Sequence, residues 1–357
     1  MVTKKKILQF SLRLGLFLFI STMIIAGSIL VYTSGPTPNF YSDDDWKNVD
    51  SITPPGYNES QYNVVLDQHS HTLYSDGALT VKQNIEWHIA MGFNTIIFTD
   101  HNTLKNKEDI SELQKEYDNM VFIQGMEYTT NRIHMNFLGI SEWNLKIPST
   151  PTDEELQEAI NEVHNQGGVV TCNHIPWSLN QAGMDNHPTR QELLDWGVDY
   201  IEIVNDDAAP INHYDEESEE FCKENDIGMI TGSDMHRPDD LESGGIHGWT
   251  LINSTAFTKE AIMTELRAKD TEILYSSAGY EDPGDHEENP WYTVIKPISR
   301  FGGIFADIYY EDSLDPVVIV IYVSYALGIF GILEIYRFAK PKIKGKIKTL
   351  KEKRTEE

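Results

Sequence analysis

Residues 66–77 read LDQHSHTLYSDG and follow directly on Val64 and Val65, which indicate the start of a strand. Alternate side chains of a strand point to the same face, so His69 and His71 would project together. Two neutral imidazoles aimed at one point suit a transition-metal ion. The alternative is a polar strand end whose histidines simply face water. The pattern predicts a metal site, and we compare that prediction with the rest of the chain.

From residue 64 onward, short apolar strands alternate with helical patterns. The strand-like stretches are Val64–Leu66, Thr95–Phe98, Val121–Gln124, Met135–Leu138, Val169–Thr171, Tyr200–Val204, Met229–Thr231 and Trp249–Ile252. Repeated strand–helix units imply a parallel sheet, and this many of them favour a barrel over an open sheet. The predicted fold class is therefore α/β with a barrel-like sheet.

Histidine or carboxylate residues follow nearly every one of these strands. The runs are HSH at 69–71 with SDG at 75–77, TDHN at 99–102, GME at 125–127, His134 before a strand, NHIP at 173–176 and GSDMH at 232–236. One water-exposed histidine could follow a strand by chance, but this recurrence is hard to explain that way. Because the carboxyl ends of barrel strands meet at one face, we predict a single site built from several strands.

These runs, in this order, resemble those of the PHP (polymerase and histidinol phosphatase) family of metal-dependent phosphoesterases, over roughly residues 62–275. The set is specific as a whole, whereas any single run such as TDH is a weak signal. The resemblance implies a distorted seven-stranded (β/α) barrel that holds two or three divalent metal ions, commonly zinc, manganese or iron.

The resemblance also implies how the ligands are shared among three ions. A first ion would be held by His69, His71, Glu127 and Asp234. A second would be bridged through Glu127 and held also by His134 and His174. A third would be held by Asp76, His101 and His236. Among these residues, the ones expected to carry catalysis are Glu127, Asp234 and His71.

One position departs from part of the family. Some members, the histidinol phosphatases among them, have a histidine where this chain has Gly77. The nearby ligand here is Asp76, as in a branch that includes small-molecule phosphodiesterases and a carbamate hydrolase. The departure bears on the third ion and on the substrate.

Several residues have a second interpretation. Asp76 could simply form a turn in Ser-Asp-Gly, and His134 could be a strand-edge histidine. Asp100 would orient a ligand histidine or cap a turn rather than bind metal. Arg132 and Arg237 flank motif residues and could bind the substrate phosphate, or could pair with surface acids.

Clustered divalent ions lower the pKa of a shared water and neutralise the phosphoryl oxygens that it attacks, so no serine or cysteine nucleophile is needed. The predicted function is hydrolysis of small phosphate mono- or diesters by metal-activated water. One alternative keeps the metals and cleaves carboxylic or carbamate esters. Another is a non-catalytic metal-binding sensor domain.

Two uncharged apolar stretches lie near the ends of the chain. Leu14–Tyr32 follows a basic start, and Pro316–Leu333 precedes a lysine-rich tail. Each is about as long as a bilayer-spanning helix requires. The first could instead be a cleaved signal peptide, although its apolar core is longer than such peptides have, and the second could be a buried core helix. Because both basic flanks lie on the outer ends, we predict a two-pass cell-membrane protein with cytoplasmic termini and an outward-facing catalytic domain.

The expected organisation follows from these segments. The parts are a basic cytoplasmic end with the first transmembrane helix at 1–33, a linker at 34–61, the PHP metallohydrolase domain at 62–275, a loop-rich return segment at 276–315, the second transmembrane helix at 316–338 and a basic cytoplasmic tail at 339–357.

The net charge of the chain argues against a nucleic-acid partner. The chain has a formal net charge of −28 although both ends are basic, so the central region is strongly acidic. Such a surface repels polyanions, and we expect no nucleic-acid partner.

Cys172 and Cys222 could pair in an oxidising exterior, but a single pair is no disulfide framework, and we expect them to be unpaired.

Overall fold

In the computed structural model, the described residues are 4–35, 37–181, 184, 186–207, 214–239, 245–306, 309–310, 313–314 and 316–355. The chain divides into two compact units, Thr37–Pro290 and Met1–Pro36 together with Trp291–Glu357.

The strands and helices are numbered in chain order. The strands are β1 Asn39–Phe40, β2 Val64–Asp67, β3 Thr95–Phe98, β4 Val121–Thr129, β5 His134–Leu138, β6 Val169–Cys172, β7 Tyr200–Asn205, β8 Gly228–Gly232, β9 Ile246–Ile252, β10 Glu272–Tyr280, β11 Glu287–Glu288, β12 Tyr309–Tyr310 and β13 Ser313–Leu314. The helices are α1 Lys4–Thr33, α2 Val81–Ala90, α3 Lys107–Leu113, α4 Asp153–Asn165, α5 Ile175–Asn180, α6 Arg190–Trp196, α7 Glu216–Glu224, α8 Lys259–Ala268, α9 Tyr292–Ala306 and α10 Pro316–Thr355.

Nine strands form one nearly closed, barrel-like sheet in the order β10-β9-β2-β3-β4-β5-β6-β7-β8. The sheet curls so that β8 comes close to β9. The Thr231 amide of β8 there donates a hydrogen bond to the Thr250 hydroxyl of β9 at 2.9 Å. The expected α/β barrel is thus confirmed, but the expected count of seven strands is wrong. β10 is an edge strand and is only partly buried, so it lacks the apolar run that marks the other strands in the sequence.

The sheet is mixed rather than parallel throughout. β2, β3 and β4 run parallel to one another, as do β6, β7 and β8, but β5 is antiparallel to both β4 and β6. Only residues 130–133 join β4 to β5, and a connection this short makes a hairpin, whereas a parallel pair needs a long crossover. The reversal brings His134, at the start of β5, to the face that carries the carboxyl ends of the neighbouring strands. It explains why this candidate ligand precedes its strand.

Two sets of apolar side chains hold the barrel. One includes Val64, Leu66 and Ile97, which are completely buried with other strand residues. The other packs α4 against the sheet through residues such as Leu156 and Ile160, which are also completely buried. Burial of each such side chain contributes about 1.5–3 kcal/mol relative to exposure. The site therefore rests on strand ends whose positions are fixed by packing.

The stretch expected to be a linker, 34–61, packs on the barrel from residue 37 onward. Trp46 is buried among apolar residues that include Trp249, and β1 pairs with β11 in an antiparallel ladder. His286 lies between Asp45, at 2.8 Å, and Asp282. These contacts join the segment before the barrel to the segment after it.

We expect this His286 contact to make stability depend on pH. Burial would lower the pKa of His286, but Asp282 and Asp45 raise it to about 8. Its contribution is therefore complete below the ordinary histidine pKa of about 6.5 and is lost as the pH rises through about 8. In thermal melts of the detergent-solubilised chain, wild type should exceed His286→Gln in Tm at pH 6 and lose most of that advantage by pH 9. An advantage that stays constant over this range would contradict the ion-pair interpretation.

The unit formed by the two ends of the chain contains α1, α9 and α10. Two of its helical stretches, Lys4–Thr33 and Ile319–Pro341, are long and apolar enough to cross a membrane, with mean hydropathies of 2.4 and 1.9. Length and composition alone are what qualify them. The stretch expected to be loop-rich, 276–315, contains the end of β10, three two-residue strands and the 15-residue helix α9.

Candidate metal centre

The nine sequence-predicted ligands lie together at one face of the barrel. Most follow the carboxyl ends of β2, β3, β6 and β8, Glu127 lies near the end of β4, and His134 begins β5. Isolated bridges between Ser70 and Met235 and between His101 and Glu127 extend the strand pairing into these loops. Among the described residues there are four groups in which the donor atoms of each group lie within 4.8 Å of one another. These groups are His71, Asp76, His101 and His236; His69, His71 and Asp234; His69, Glu127 and His174; and Asp207, Asp234 and His236.

Glu127 occupies the centre of the cluster. Its carboxylate oxygens lie 2.6 Å from His101 Nδ1, 3.1 Å from His134 Nδ1, 3.4 Å from His174 Nε2 and 3.5 Å from His69 Nε2. Burial alone would raise the pKa of this carboxyl, but His101 and His134 hold it well below its usual range. Glu127 is therefore ionised, with its oxygens facing histidines on several sides. This arrangement suits a carboxylate shared between two cations.

The Asp234 carboxylate lies close to both His69 and His71. Its Oδ1 lies 3.1 Å from His69 Nε2 and 3.0 Å from His71 Nε2. Asp234 and His174 have φ values of +53° and +26°, in or near the left-handed region that residues other than glycine seldom adopt. Such conformations cost on the order of 1–3 kcal/mol each, persist only where the surroundings enforce them, and cluster at functional sites.

Asp76 faces a third set of histidines. Its oxygens lie 3.4 Å from His101 Nε2, 3.3 Å from His236 Nε2 and 3.9 Å from His71 Nδ1. Desolvation would raise the pKa of Asp76, yet His101 and His236 lower it well below its usual range. The carboxylate therefore does more than complete a Ser-Asp-Gly turn.

The donor atoms fit divalent transition-metal ions. Buried His69 Nε2 and His71 Nδ1 form no hydrogen bond among the described residues. Burial, with the nearby His236 and His101, lowers the pKa of His71 to about 4, so this ring is neutral near pH 7 and offers a nitrogen lone pair. Imidazole and carboxylate donors in one cluster are a combination that zinc, manganese and iron accept.

Protons and metal ions would compete at two of these rings. Burial would lower the pKa of His101, but Asp76 and Glu127 raise it to about 10. Likewise, burial works against protonation of His69, yet Asp234 and other carboxylates raise its pKa. An ion that binds at these nitrogens displaces a proton, so metal affinity should fall as the pH is lowered.

Glu202 is a site residue that the sequence analysis missed. It is buried in β7, and its Oε1 accepts from His69 Nδ1 at 2.9 Å while its Oε2 accepts from the backbone N–H of His174 at 2.9 Å. A Cβ at position 232 would lie 2.1 Å from this carboxylate, so Gly232 leaves the space that Glu202 fills. Carboxylates that orient a metal-binding histidine tune both its geometry and its basicity. The available signal was a charged residue inside the apolar run IEIV.

Three other polar residues support the cluster. Asp67, at the end of β2, accepts from the backbone N–H of His69 at 3.0 Å and from that of Ser233 at 3.1 Å, which ties β2 to β8. Asn205 donates to Asp234 Oδ2 at 3.1 Å, and Asp207 Oδ2 lies 3.0 Å from His236 Nδ1. Their importance depends on contacts between distant parts of the chain, which sequence spacing does not reveal.

Asp100 shapes the turn that carries Asp76. Its carboxylate accepts from the Thr72 backbone N–H at 2.8 Å and from the Ser75 hydroxyl at 2.8 Å, so of its two expected roles the structure shows the turn. Gly77 closes the same turn by donating to Thr72 O at 3.0 Å. A Cβ at position 77 would lie 2.6 Å from the backbone carbonyl of His71. A histidine here would meet the same obstruction, so this backbone favours Asp76 as the ligand of the turn.

Gly77→Ala should therefore disturb the site. The added methyl meets backbone rather than a flexible side chain, so we expect a loss of about 1–3 kcal/mol of stability together with reduced metal content. Thermal melts and elemental analysis of the purified protein would measure both. Gly328→Ala is the control, because a Cβ there meets nothing within 4 Å. Wild-type stability and metal content in Gly77→Ala would refute the crowding argument.

The two candidate substrate-binding arginines have different settings. Arg132 donates from Nε to Asn186 O at 2.8 Å and from Nη1 to Pro151 O at 3.1 Å, and its Nη2 is paired with Asp153. All three guanidinium nitrogens thus hold the surrounding loops together. Arg237 is half-buried directly after His236. Phosphate binding by either arginine stays a prediction.

Comparison with known proteins finds a family match over part of the chain. Residues 67–206 match the family model described as PHP domain, a range that includes the predicted ligands up to His174. No curated protein matches the chain.

Solved structures with similarity to the chain include three bacterial proteins. One is a two-domain protein from Bacteroides vulgatus containing a predicted PHP-like metal-dependent phosphoesterase, with 21% identity, coverage of 64% of this chain and 69% of that chain, and a TM-score of 0.48. Another is a proposed metal-dependent phosphoesterase from Bifidobacterium adolescentis, with 15% identity, coverage of 62% and 99%, and a TM-score of 0.42. The third is an amidohydrolase from Chromobacterium violaceum with bound sulfate and no metal, with 16% identity, coverage of 60% and 99%, and a TM-score of 0.39. The family match is confined to residues 67–206, and over that range the chain is similar to the PHP domain.

Proposed function

We propose that the chain is a membrane-anchored, outward-facing, metal-dependent phosphoesterase that hydrolyses small phosphate mono- or diesters with metal-activated water. The observation that carries this proposal is the position of Glu127, an ionised and buried carboxylate with four histidine nitrogens within 3.5 Å of its oxygens. A barrel gains no stability from clustering so many ionisable groups at one buried point unless they bind something.

The side chains divide the work among themselves. His69, His71 and Asp234 would hold one ion, His134 and His174 a second that shares Glu127, and Asp76, His101 and His236 a third. Two or three divalent ions, zinc, manganese or iron, would lower the pKa of water and neutralise the phosphoryl oxygens. Glu202 keeps the His69 ring in place through its Nδ1–H, which leaves Nε2 directed at the Asp234 and Glu127 carboxylates.

The experiment that tests this function uses the full chain purified in detergent. Elemental analysis would give the bound metals, and the protein would then be assayed on p-nitrophenyl phosphate, bis-p-nitrophenyl phosphate, p-nitrophenyl acetate and a carbamate ester. We expect phosphoester cleavage that a chelator removes, that zinc, manganese or iron restores, and that rises through a pKa of about 7. Cleavage of only the carboxyl or carbamate esters would refute the phosphoester assignment. A metal-loaded protein that cleaves none of the four would refute catalysis.

The topology has its own test. Two apolar helices with basic residues at their outer ends support cytoplasmic termini and an outward PHP domain. Protease added to intact cells should digest the central domain and leave a tag on the lysine-rich tail protected. A tag that is digested while the domain survives would reverse the orientation.

A further inference from the structure

We infer that α9 is a lipid-binding helix that lies at the surface of the bilayer beside α1, a role beyond the two predicted transmembrane spans. The sequence around it, YTVIKPISRFGGIFA, has apolar residues at a helical spacing. Val294, Ile298 and Phe301 are 59%, 47% and 41% exposed and recur at positions i, i+4 and i+7, so they form one side of the helix. We call these three residues the apolar face of α9.

The opposite side of α9 carries charge. Lys296 lies over the Tyr292 ring at 4.8 Å, and Arg300 is exposed. A helix with an apolar face, a basic face and aromatic residues at its end is the pattern of a helix that lies in the bilayer interface. Its 15 residues make it about 22 Å long, too short to cross a hydrocarbon core of about 30 Å.

Contacts within this unit place α9 against the end of α1. A Cβ at Gly302 would lie 1.9 Å from the Ser28 carbonyl oxygen, and one at Gly303 would lie 2.9 Å from the Tyr32 ring, so the two glycines allow close packing of the helices. Ser28 and Tyr32 belong to the last turns of α1, next to its carboxyl end at Thr33. α9 is therefore located beside one end of the first span.

The same carboxyl-terminal end of α9 also contacts α10. Phe305 is buried and lies edge-on to Tyr322 of α10 at 6.3 Å between ring centroids. The Tyr322 hydroxyl in turn lies 2.6 Å from Thr22 Oγ1, about two turns further into α1 than Ser28. The carboxyl-terminal end of α9 is thus held against both α1 and α10.

Lipid is the occupant that this arrangement favours. α9 packs against α1 and α10, which carry exposed apolar side chains such as Leu30 and Val320, 68% and 63% exposed. Exposed apolar side chains on three packed helices are not stable in water, and lipid that covers α1 and α10 would cover the apolar face of α9 as well. This inference rests on the membrane anchoring proposed above.

Site-directed spin labelling would test it in the full chain, reconstituted into vesicles of phosphatidylcholine and phosphatidylglycerol. Labels would be placed in Ile298→Cys and Phe301→Cys, with Arg300→Cys on the opposite side as the matched control and Ile24→Cys, 56% exposed on α1, as the reference for a span. The native Cys172 and Cys222 are both buried, and labelled wild type measures any background they give. Collision with oxygen reports lipid, and collision with a water-soluble nickel complex reports water.

We expect labels at 298 and 301 to collide several-fold more with oxygen than with nickel, as at 24, and the label at 300 to show the reverse. If 298 and 301 behave like 300 while 24 reports lipid, α9 lies in water and the inference is wrong, although the anchoring stands. If 298 and 301 are shielded from both reagents, protein rather than lipid covers the face, and the inference is equally wrong. If 24 also reports water, the anchoring itself fails.

Discussion

Glu127→Gln should leave a folded protein that has lost metal and has lost at least about 100-fold in activity. Removal of a side chain that only hydrogen-bonds to a metal ligand already lowers metal affinity or activity by about 10–100-fold. Glu127 contacts four of the candidate ligand histidines directly. The amide keeps the shape of the side chain, but it replaces two anionic oxygens with one neutral oxygen and a donor. A side chain that must accept on both oxygens cannot be replaced in this way.

The measurement is metal per chain by elemental analysis, together with phosphoester turnover and a thermal melt. Glu112→Gln is the matched control, since Glu112 is 73% exposed and pairs with Lys115. The control should equal wild type in all three measurements. A Glu127→Gln protein that kept full metal and full turnover would rule out the shared carboxylate.

His71→Ala should abolish phosphoester cleavage, and excess metal should restore little of it. The buried ring lies 3.0 Å from Asp234 Oδ1 and 3.9 Å from Asp76 Oδ1, so it stands between two of the donor groups. Its removal takes a neutral nitrogen ligand from the first ion and leaves carboxylates that repel one another. Water activation should therefore fail even when metal is abundant.

A surface histidine provides the comparison for this variant. His164 lies in α4, is partly exposed and pairs with Asp199 at 2.9 Å. His164→Ala should retain metal content and turnover. If His71→Ala cleaves as well as wild type, the opening HSH motif has no catalytic role.

The sequence predicted which residues lie together at one face of the barrel because its signals are local. The alternation of His69 and His71 at a strand end, and the recurrence of histidine or aspartate after later strands, can be read within a few residues of each motif. The barrel rule then places strand ends together without knowledge of the pairing. For this reason the nine predicted residues lie at one face, and the α/β barrel was predicted, although the predicted count of seven strands was wrong.

The residues that position the cluster were harder to predict, because their roles depend on long-range contacts. Glu202 reaches His69 across 133 positions of the chain, and Asp67 reaches Ser233 across 166. Nothing near either carboxylate in the sequence indicates its partner. Gly77 was noticed only as a missing ligand, whereas the structure shows a turn whose backbone leaves no room for a side chain.

By itself, the sequence determined the types of the candidate ligand residues, their order along the strands, the acidic character of the central region and the two apolar helices. Only the tertiary structure decided that β5 runs against its neighbours, that the sheet has nine strands, that Glu202 supports His69, and that α9 packs beside the end of α1. Composition and periodicity are properties of neighbouring residues, so the chain alone displays them. Strand direction, buried partners and helix contacts depend on which distant segments meet, and that is settled when the whole chain packs so as to bury its apolar surface and satisfy its polar groups.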